Sequence, residues 1–72
     1  MNRTEMREVE TGQRLIHKRT EKIYTVILKG KVKISGTWEQ AITYTPANPA
    51  YFLQIVYTRV LDDFEGFEVL YD

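Results

Sequence analysis

The chain has 72 residues, of which 43% are hydrophobic and 12% aromatic, and its ten basic and ten acidic side chains leave no net charge. This length fits one small domain with one core, and the composition argues against intrinsic disorder. There is no cysteine and one histidine, which excludes disulfides and thiolate chemistry and leaves no ligand set for a structural zinc. We expect no metal and no cofactor.

No apolar run reaches the length of a membrane span, and the first residues lack the apolar segment of a secretory signal. We therefore expect a cytoplasmic location. Residues 1–11 show no strand alternation and include helix-favouring residues, with Asn2 or Thr4 as candidate caps. We expect a flexible or short helical N-terminal arm over residues 1–11 and a small β-barrel domain over residues 12–72.

The first strand follows a turn signal at Thr11-Gly12. It places Leu15 and His17 on one face. The next segment, from Ile23 to Ser35, is the most regular in the chain, because every second side chain is apolar. A period of two is typical of a half-buried β-strand.

Gly30 lies in the middle of this long segment, which allows either one strand bent at the glycine or a hairpin with its tip nearby. The alternation predicts an apolar face and an outer face dominated by lysines. The predicted apolar face contains Tyr24, Val26, Leu28, Val32 and Ile34, and the predicted outer face contains Lys29, Lys31 and Lys33.

The rest of the chain predicts three further strands and one helical turn. The first of these strands follows the turn dipeptide Ser35-Gly36 and ends where two prolines interrupt any sheet ladder. The second is apolar on both faces, as expected for the central strand of a barrel. In order, the elements are the strand Trp38–Thr45, the loop Pro46–Pro49, the strand Tyr51–Val60, the helical turn Leu61–Gly66 and the strand Phe67–Tyr71.

Five strands, one of them long, with a single helical turn before the short last strand predict an all-β, five-stranded SH3-like small barrel. Closing a small sheet in this way removes most of its exposed edge. The alternative is a five-stranded oligonucleotide-binding barrel. That fold usually needs more residues and a helix between strands, for which the sequence offers no good place.

The basic residues are concentrated in the first half of the chain. Nine of the ten lie in residues 1–33, and Arg59 is the only later one. Since the first and last strands of a small barrel are often neighbours, we expect the basic and acidic halves to face each other across the sheet. We expect Arg59 either to pair with Asp62, Asp63 or Glu39 or to present its guanidinium to a partner.

The sequence contains no recognisable catalytic arrangement. His17 and Ser35 are the only histidine and serine, and we expect His17 to be packed and hydrogen-bonded. The adjacent carboxylates Asp62 and Asp63 rarely converge on one point, and we expect Asp62 to cap the helical turn. We predict that the chain is not an enzyme.

Short motifs between residues 12 and 67 form a loose pattern. They are Gly12, His17-Lys18, Tyr24-x-Val26, Ile42-x-Tyr44, Tyr57-x-Arg59, Asp63-Phe64 and Phe67. The pattern resembles a family of small uncharacterised bacterial and phage proteins. It departs from that family at Val60, where the family prefers proline, and in a longer segment from Tyr44 to Tyr57. The resemblance implies an SH3-like fold and an accessory protein, often phage-encoded, and it supplies no catalytic residue.

We expect a binding module that recognises a protein, for which the resemblance suggests a host enzyme and the host cytoplasm. Trp38 beside a turn and Tyr51 beside the proline loop are the expected exposed anchors. The alternative for Trp38 is to plug one end of the barrel. The candidate partner-binding residues are Trp38, Tyr51, Arg59, Lys29, Lys31 and Lys33.

Two alternatives to protein binding follow from the charges. The three lysines form a basic stripe suited to nucleic acid, although the acidic second half of the chain opposes this. The other alternative is a homo-oligomer in which the basic face of one copy meets the acidic face of another.

Overall fold

Five antiparallel strands form one sheet, and the protein has a small all-β fold. The structure is a computed structural model that describes residues 1–46 and 55–71. Its strand order is β4-β3-β2-β1-β5. Among the described residues no strand pairing joins β4 to β5, so the sheet is not closed into a barrel by hydrogen bonds. The elements are α1 (Arg3–Arg7), β1 (Arg14–His17), β2 (Lys22–Ile34), β3 (Thr37–Pro46), β4 (Tyr57–Val60), a 3₁₀ turn (Leu61–Asp63) and β5 (Phe67–Leu70).

The N-terminal segment forms a short helix that packs into the core. Asn2 caps α1 by accepting from the Glu5 amide at 2.9 Å, and the Glu5 carboxylate accepts from the Asn2 amide at 3.1 Å. This reciprocal capping box satisfies two amides that the first helical turn leaves without partners. Met6 and Val9 are buried. No helix of the described residues has the length and apolar content needed to cross a membrane.

The core lies between one face of the sheet and a cover. The cover consists of the N-terminal segment from α1 to Val9 and of the 3₁₀ turn with Phe64. The strands supply Leu15, Val26, Ile42, Tyr44 and Phe67, and the cover supplies Met6, Val9, Leu61 and Phe64. The sequence predicts that Leu15 and His17 share one face of β1. The burial of Leu15 and the partial burial of His17 agree with this.

The strand before the 3₁₀ turn differs from the prediction. β4 covers only Tyr57–Val60 and lies at the end of the strand order, whereas the central strand is β2. The preceding Ile55 and Val56 are 57% and 54% exposed. Apolar residues on both faces of this segment suggested a covered strand, but residues 55–58 are exposed, and only Arg59 and Val60 are half-buried. Residues 51–54 of the predicted strand lie outside the described residues.

The long predicted strand is continuous across Gly30 and turns at Ser35-Gly36. Ile34 pairs with Thr37, which leaves a two-residue turn whose backbone φ angles are both positive, 50° at Ser35 and 83° at Gly36. Positive φ at both central residues is the requirement of a type I′ hairpin turn. Of the two predicted alternatives, the continuous strand is confirmed and a hairpin near Gly30 is wrong.

A β-bulge at Ile27 changes which side chains share a face. Val26 pairs with Tyr44 but Leu28 pairs with Thr43, so Ile27 is an extra residue on β2. Because directly opposite residues point to the same side of an antiparallel sheet, the alternation slips by one at this point. Beyond the bulge the core-side face carries Lys29, Lys31 and Lys33, and the opposite face carries Leu28, Val32 and Ile34. The predicted single apolar face and lysine-bearing outer face are therefore wrong beyond Val26.

Ion pairs link the basic first half of the chain to the acidic second half. Arg3 donates to both carboxylate oxygens of Asp62, at 2.8 and 3.0 Å, and lies 3.8 Å from a Glu39 oxygen. Lys18 on the loop after β1 lies 4.0 Å from Glu68 on the neighbouring β5. These contacts agree with the expectation that the basic and acidic halves of the chain face each other. The expected capping role of Asp62 is wrong, because the 3₁₀ turn has no side-chain cap and Asp62 instead binds Arg3.

Candidate functional site

One face of the sheet is covered in its middle and open on both sides of the cover. In the middle, Met6 of α1 and Phe64 of the cover pack with Ile42 of β3, and all three are 0% exposed. On one side of this cover the long β2–β3 hairpin carries the lysines. On the other side the start of β2 and the end of β3 carry tyrosines. These two open regions are the candidate sites.

The first candidate site is the lysine face, which consists of Lys29, Lys31 and Lys33 on β2 together with Trp38 and Gln40 on β3. Lys31 pairs with Gln40 and Lys33 pairs with Trp38, so their side chains lie on the same side of the sheet. Neither β1 nor β4 pairs with residues 31–40. Among the described residues, this part of the hairpin is therefore a two-stranded arm, the hairpin arm.

Trp38 is the most prominent side chain of the lysine face. It is 62% exposed, which makes the barrel-plug alternative wrong. The Nζ atom of Lys33 lies 5.9 Å from the centroid of its ring, within the range of a cation–π contact. The lysine and the indole thus form one amphipathic unit on the hairpin arm.

The lysines of this face have no ion pair with a described carboxylate. Within residues 1–46 and 55–71, no carboxylate lies within 4.0 Å of Lys29, Lys31 or Lys33. Lys29 donates to the carbonyl oxygen of Arg7 at 2.8 Å, which places a cation at the C-terminal end of α1. Beside it is a groove of about 250 Å³ whose lining includes Arg7, Lys29, Lys31 and Gln40.

The opposite side of the same hairpin exposes aliphatic side chains. Leu28 is 49% exposed and Ile34 is 48% exposed, with Val32 partly buried between them. The bulge at Ile27 produces this arrangement, since an uninterrupted alternation would have turned these residues toward the core side. The hairpin therefore carries cations on one side and apolar surface on the other.

The second candidate site is the tyrosine cavity, a hollow of about 240 Å³ at the opposite open region. Tyr44 is its buried base, and its ring centroid lies 5.2 Å from that of Tyr24, 5.6 Å from that of Tyr57 and 5.8 Å from that of Phe67. Such spacings are typical of packed aromatic pairs. The described residues that line the cavity are His17, Thr20, Lys22, Tyr24, Tyr44, Tyr57, Arg59 and Phe67.

Arg59 is fixed within the tyrosine cavity by contacts with three residues. Its Nε donates to the Tyr44 hydroxyl oxygen at 2.7 Å, its Nη1 donates to the Asp63 carboxylate at 3.0 Å, and its guanidinium carbon lies 5.4 Å from the Phe67 ring centroid. The expected ion pair of Arg59 with a nearby acid is confirmed at Asp63. Arg59 on β4 thereby contacts Phe67 on β5, the two strands at the ends of the sheet order.

These contacts also keep both groups in their usual protonation states. The hydrogen bond with Tyr44 raises the pKa of Arg59, and the Asp63 carboxylate acts in the same direction. Burial raises the pKa of Tyr44, although the hydrogen bond from Arg59 partly opposes this. The cavity therefore presents a permanent guanidinium beside a protonated tyrosine hydroxyl.

His17 is held at the edge of the cavity by packing and one side-chain contact. Its Nδ1 lies 3.1 Å from the Thr20 hydroxyl oxygen, and its ring meets Phe67 edge-on with 4.9 Å between centroids. This matches the expected packed and hydrogen-bonded histidine. Among the described residues, no three His, Cys, Asp or Glu side chains form a group that could hold a metal ion.

The structure divides the predicted partner-binding residues between the two sites. Trp38 joins the three lysines on the lysine face, whereas Arg59 lies in the tyrosine cavity. Tyr51 is outside the described residues. Sequence reasoning did not single out Tyr57 or Lys22 as site residues. A signal was present for Tyr57, because the motifs that carry the family resemblance include six of the eight described residues that line the cavity, but they do not include Lys22.

No protein-family model, no curated protein and no solved structure matches the chain.

Proposed function

We propose that the chain is a non-enzymatic binding module that recognises a protein partner through the lysine face. The observation that carries the proposal is the exposure of Trp38, at 62%, on a hairpin arm whose strands are paired up to the turn. Tryptophan is among the residues most enriched in interface hot spots. A paired hairpin presents it with little further ordering cost on binding.

An acidic surface is the partner chemistry that this site favours. Lys29, Lys31 and Lys33 project from one strand at every second residue, which sets their Cα atoms roughly 7 Å apart. Their charges are not neutralised by described carboxylates. Charge complementarity with acidic residues around a central apolar pocket would speed association and orient Trp38 toward that pocket.

The aliphatic side of the hairpin favours a protein over a nucleic acid. Leu28 and Ile34 are each about half exposed, and burying such side chains is favourable by roughly 25 cal/mol per Å². A protein that clasps the hairpin can bury them, whereas a phosphate backbone offers no apolar surface for this purpose. The lysine face alone does not make this distinction.

A nucleic-acid partner is the second candidate, and the groove beside the lysine face favours it. Arg7, Lys29 and Lys31 line the groove, and Trp38 stands on the same face as a stacking platform. Cations that follow a backbone beside an aromatic ring are the usual elements of single-strand binding.

The SH3-like barrel is part of the proposal. The strand order β4-β3-β2-β1-β5 and the 3₁₀ turn between β4 and β5 support it. The contact of Arg59 with Phe67 also brings the two end strands together. Nuclear Overhauser effects between these side chains test the closure. The family resemblance is the only support for a phage-encoded regulator of a host enzyme in the host cytoplasm.

The experiment is an affinity capture from nuclease-treated bacterial lysate with the tagged chain and two variants. Trp38→Ala removes the proposed anchor. Tyr71→Ala is the matched control, since Tyr71 is 81% exposed and outside both sites. We expect one stoichiometric protein that survives moderate salt, is lost with Trp38→Ala and is retained with Tyr71→Ala. Equal capture by both variants would contradict the proposal.

Two further readouts separate the other partners. Recovery of nucleic acid alone from untreated lysate, lost at modest salt and abolished when the three lysines are changed to glutamate, would establish the second candidate. Sedimentation velocity at low and high salt tests self-association of basic and acidic faces, which salt would weaken.

A further inference from the structure

We infer that the tyrosine cavity binds a small organic anion that carries a planar ring, such as an aryl phosphate or an aryl carboxylate. This site is separate from the lysine face, and the inference goes beyond the protein-binding function proposed above. It stands on three properties of the cavity: its aromatic walls, the sign of its charge and its size.

The walls of the cavity are suited to a planar ring. Tyr57 is 45% exposed, and its ring lies 6.2 Å from Tyr24 at an interplanar angle of 86° and 5.6 Å from Tyr44 at 35°. The walls therefore differ in orientation, so an entering ring can stack on one tyrosine while meeting another edge-on. Both arrangements are favourable for aromatic pairs.

The charge of the cavity selects an anion. Lys22 and Arg59 both line it, and no acidic side chain of the described residues does. The Asp63 carboxylate that binds Arg59 is not part of the lining. Arg59 uses Nε and Nη1 for its contacts with Tyr44 and Asp63, and its Nη2 makes no hydrogen bond to a described residue. That nitrogen and the Lys22 ammonium are donors for an entering carboxylate or phosphate.

The same geometry disfavours a cationic ligand, although a ring-lined pocket is a common site for cations. The guanidinium of Arg59 already lies against Phe67, with its central carbon 5.4 Å from the ring centroid. A second cation in the cavity would be repelled by Arg59 and by Lys22.

The size of the cavity limits the ligand to one ring with one anionic group. Its volume of about 240 Å³ is below the range of roughly 300–1,000 Å³ usual for drug-sized ligands. The chemistry occurs in free aryl phosphates and in the phosphotyrosine side chain of a peptide. Titrations with both distinguish the two sources.

The test is a titration of the full chain with phenyl phosphate, followed by backbone amide shifts in ¹⁵N-resolved NMR spectra. We expect saturable shifts around the ends of β1 and β4 that line the cavity and none around Trp38. Three compounds are controls. Phenol has the ring without the anionic group, inorganic phosphate has the anionic group without the ring, and benzyltrimethylammonium has a ring with a positive charge. Each should bind more weakly than phenyl phosphate. Tighter binding of a phosphotyrosine peptide than of phenyl phosphate would identify a peptide as the source of the aryl phosphate group.

Matched variants link the binding to the cavity. Lys22→Gln removes an exposed cation from the edge and should weaken phenyl phosphate binding by about three- to tenfold, the loss expected for one charge-assisted contact. Arg19→Gln removes a nearby exposed cation that does not line the cavity and should change nothing. Trp38→Ala should also change nothing, which separates this inference from the proposed protein binding. The inference is overturned if phenyl phosphate gives no saturable shifts, if inorganic phosphate or benzyltrimethylammonium binds as tightly, or if Lys22→Gln has no effect.

Discussion

Arg59 donates from Nε to the hydroxyl oxygen of Tyr44 at 2.7 Å, and this contact ties the edge strand β4 to the buried base of the tyrosine cavity. The Tyr44 side chain is almost completely buried, at 3% exposed. The hydrogen bond therefore satisfies a hydroxyl that folding removes from water.

Tyr44→Phe removes this hydroxyl while keeping the ring. Arg59 keeps its contact with Asp63, so the guanidinium is not left without a partner. We expect the free energy of unfolding to fall by about 0.5–1.5 kcal/mol, or somewhat more because the bond involves a charged donor. Urea denaturation measures it. Tyr71→Phe, at an 81% exposed position, is the control and should change the midpoint little. An unchanged midpoint in Tyr44→Phe would contradict a stabilising role of the bond.

Stability should fall in alkaline solution in a way that depends on Tyr44. Burial raises the pKa of Tyr44 above its ordinary value of 10.0, so on raising the pH the unfolded chain loses this proton first. The contribution is complete below about pH 10 and is lost as the pH rises through the folded-state pKa. Urea denaturation between pH 8 and roughly pH 11 should show a steeper loss for the wild type than for Tyr44→Phe. Parallel curves would count against the raised pKa.

Met6 tests whether the N-terminal helix belongs to the core. Its side chain is 0% exposed within the main cluster, so Met6→Ala should cost about 2–5 kcal/mol. A domain of this size has a net stability of only about 3–5 kcal/mol, and this variant should be largely unfolded by circular dichroism. Met6→Leu keeps the volume and should cost under about 1.5 kcal/mol. Thr4→Ala at an exposed position of α1 is the control. A fully folded Met6→Ala variant would indicate an arm that does not contribute to the core.

Local sequence patterns predicted those parts of the fold that depend on neighbouring residues. The period of two identified β2 and β3, Ser35-Gly36 identified the hairpin turn, and Asn2 was one of two candidate helix caps. The bulge was hidden because Val26, Ile27 and Leu28 are three apolar residues in succession. With or without a bulge, these three positions are apolar. The sequence pattern therefore does not show where the alternation shifts from one face to the other.

The tyrosine cavity depends on contacts between residues that are distant in sequence. The pairing of Arg59 with Asp63 was predictable because the two are close in the chain. Its bond to Tyr44 requires the register of β3 against β4, and its contact with Phe67 requires the approach of β4 to β5. Neither is encoded in a local pattern. Lys29, Lys31 and Lys33 were correctly predicted to share a face. They were assigned to the wrong side of the sheet, because the bulge at Ile27 shifts the alternation.

Thiol labelling tests the bulge directly, because the chain has no cysteine of its own. Val26 is 1% exposed and Leu28 is 49% exposed, although an unbroken alternation places both on one buried face. Val26→Cys should react with a thiol reagent about a hundredfold more slowly than Leu28→Cys, if opening costs about 3 kcal/mol. In denaturing urea the two variants should react at the same rate, which controls for intrinsic reactivity. Equal protection of both cysteines in the native protein would show that β2 alternates without a bulge, and would return the lysines to the outer face of the sheet.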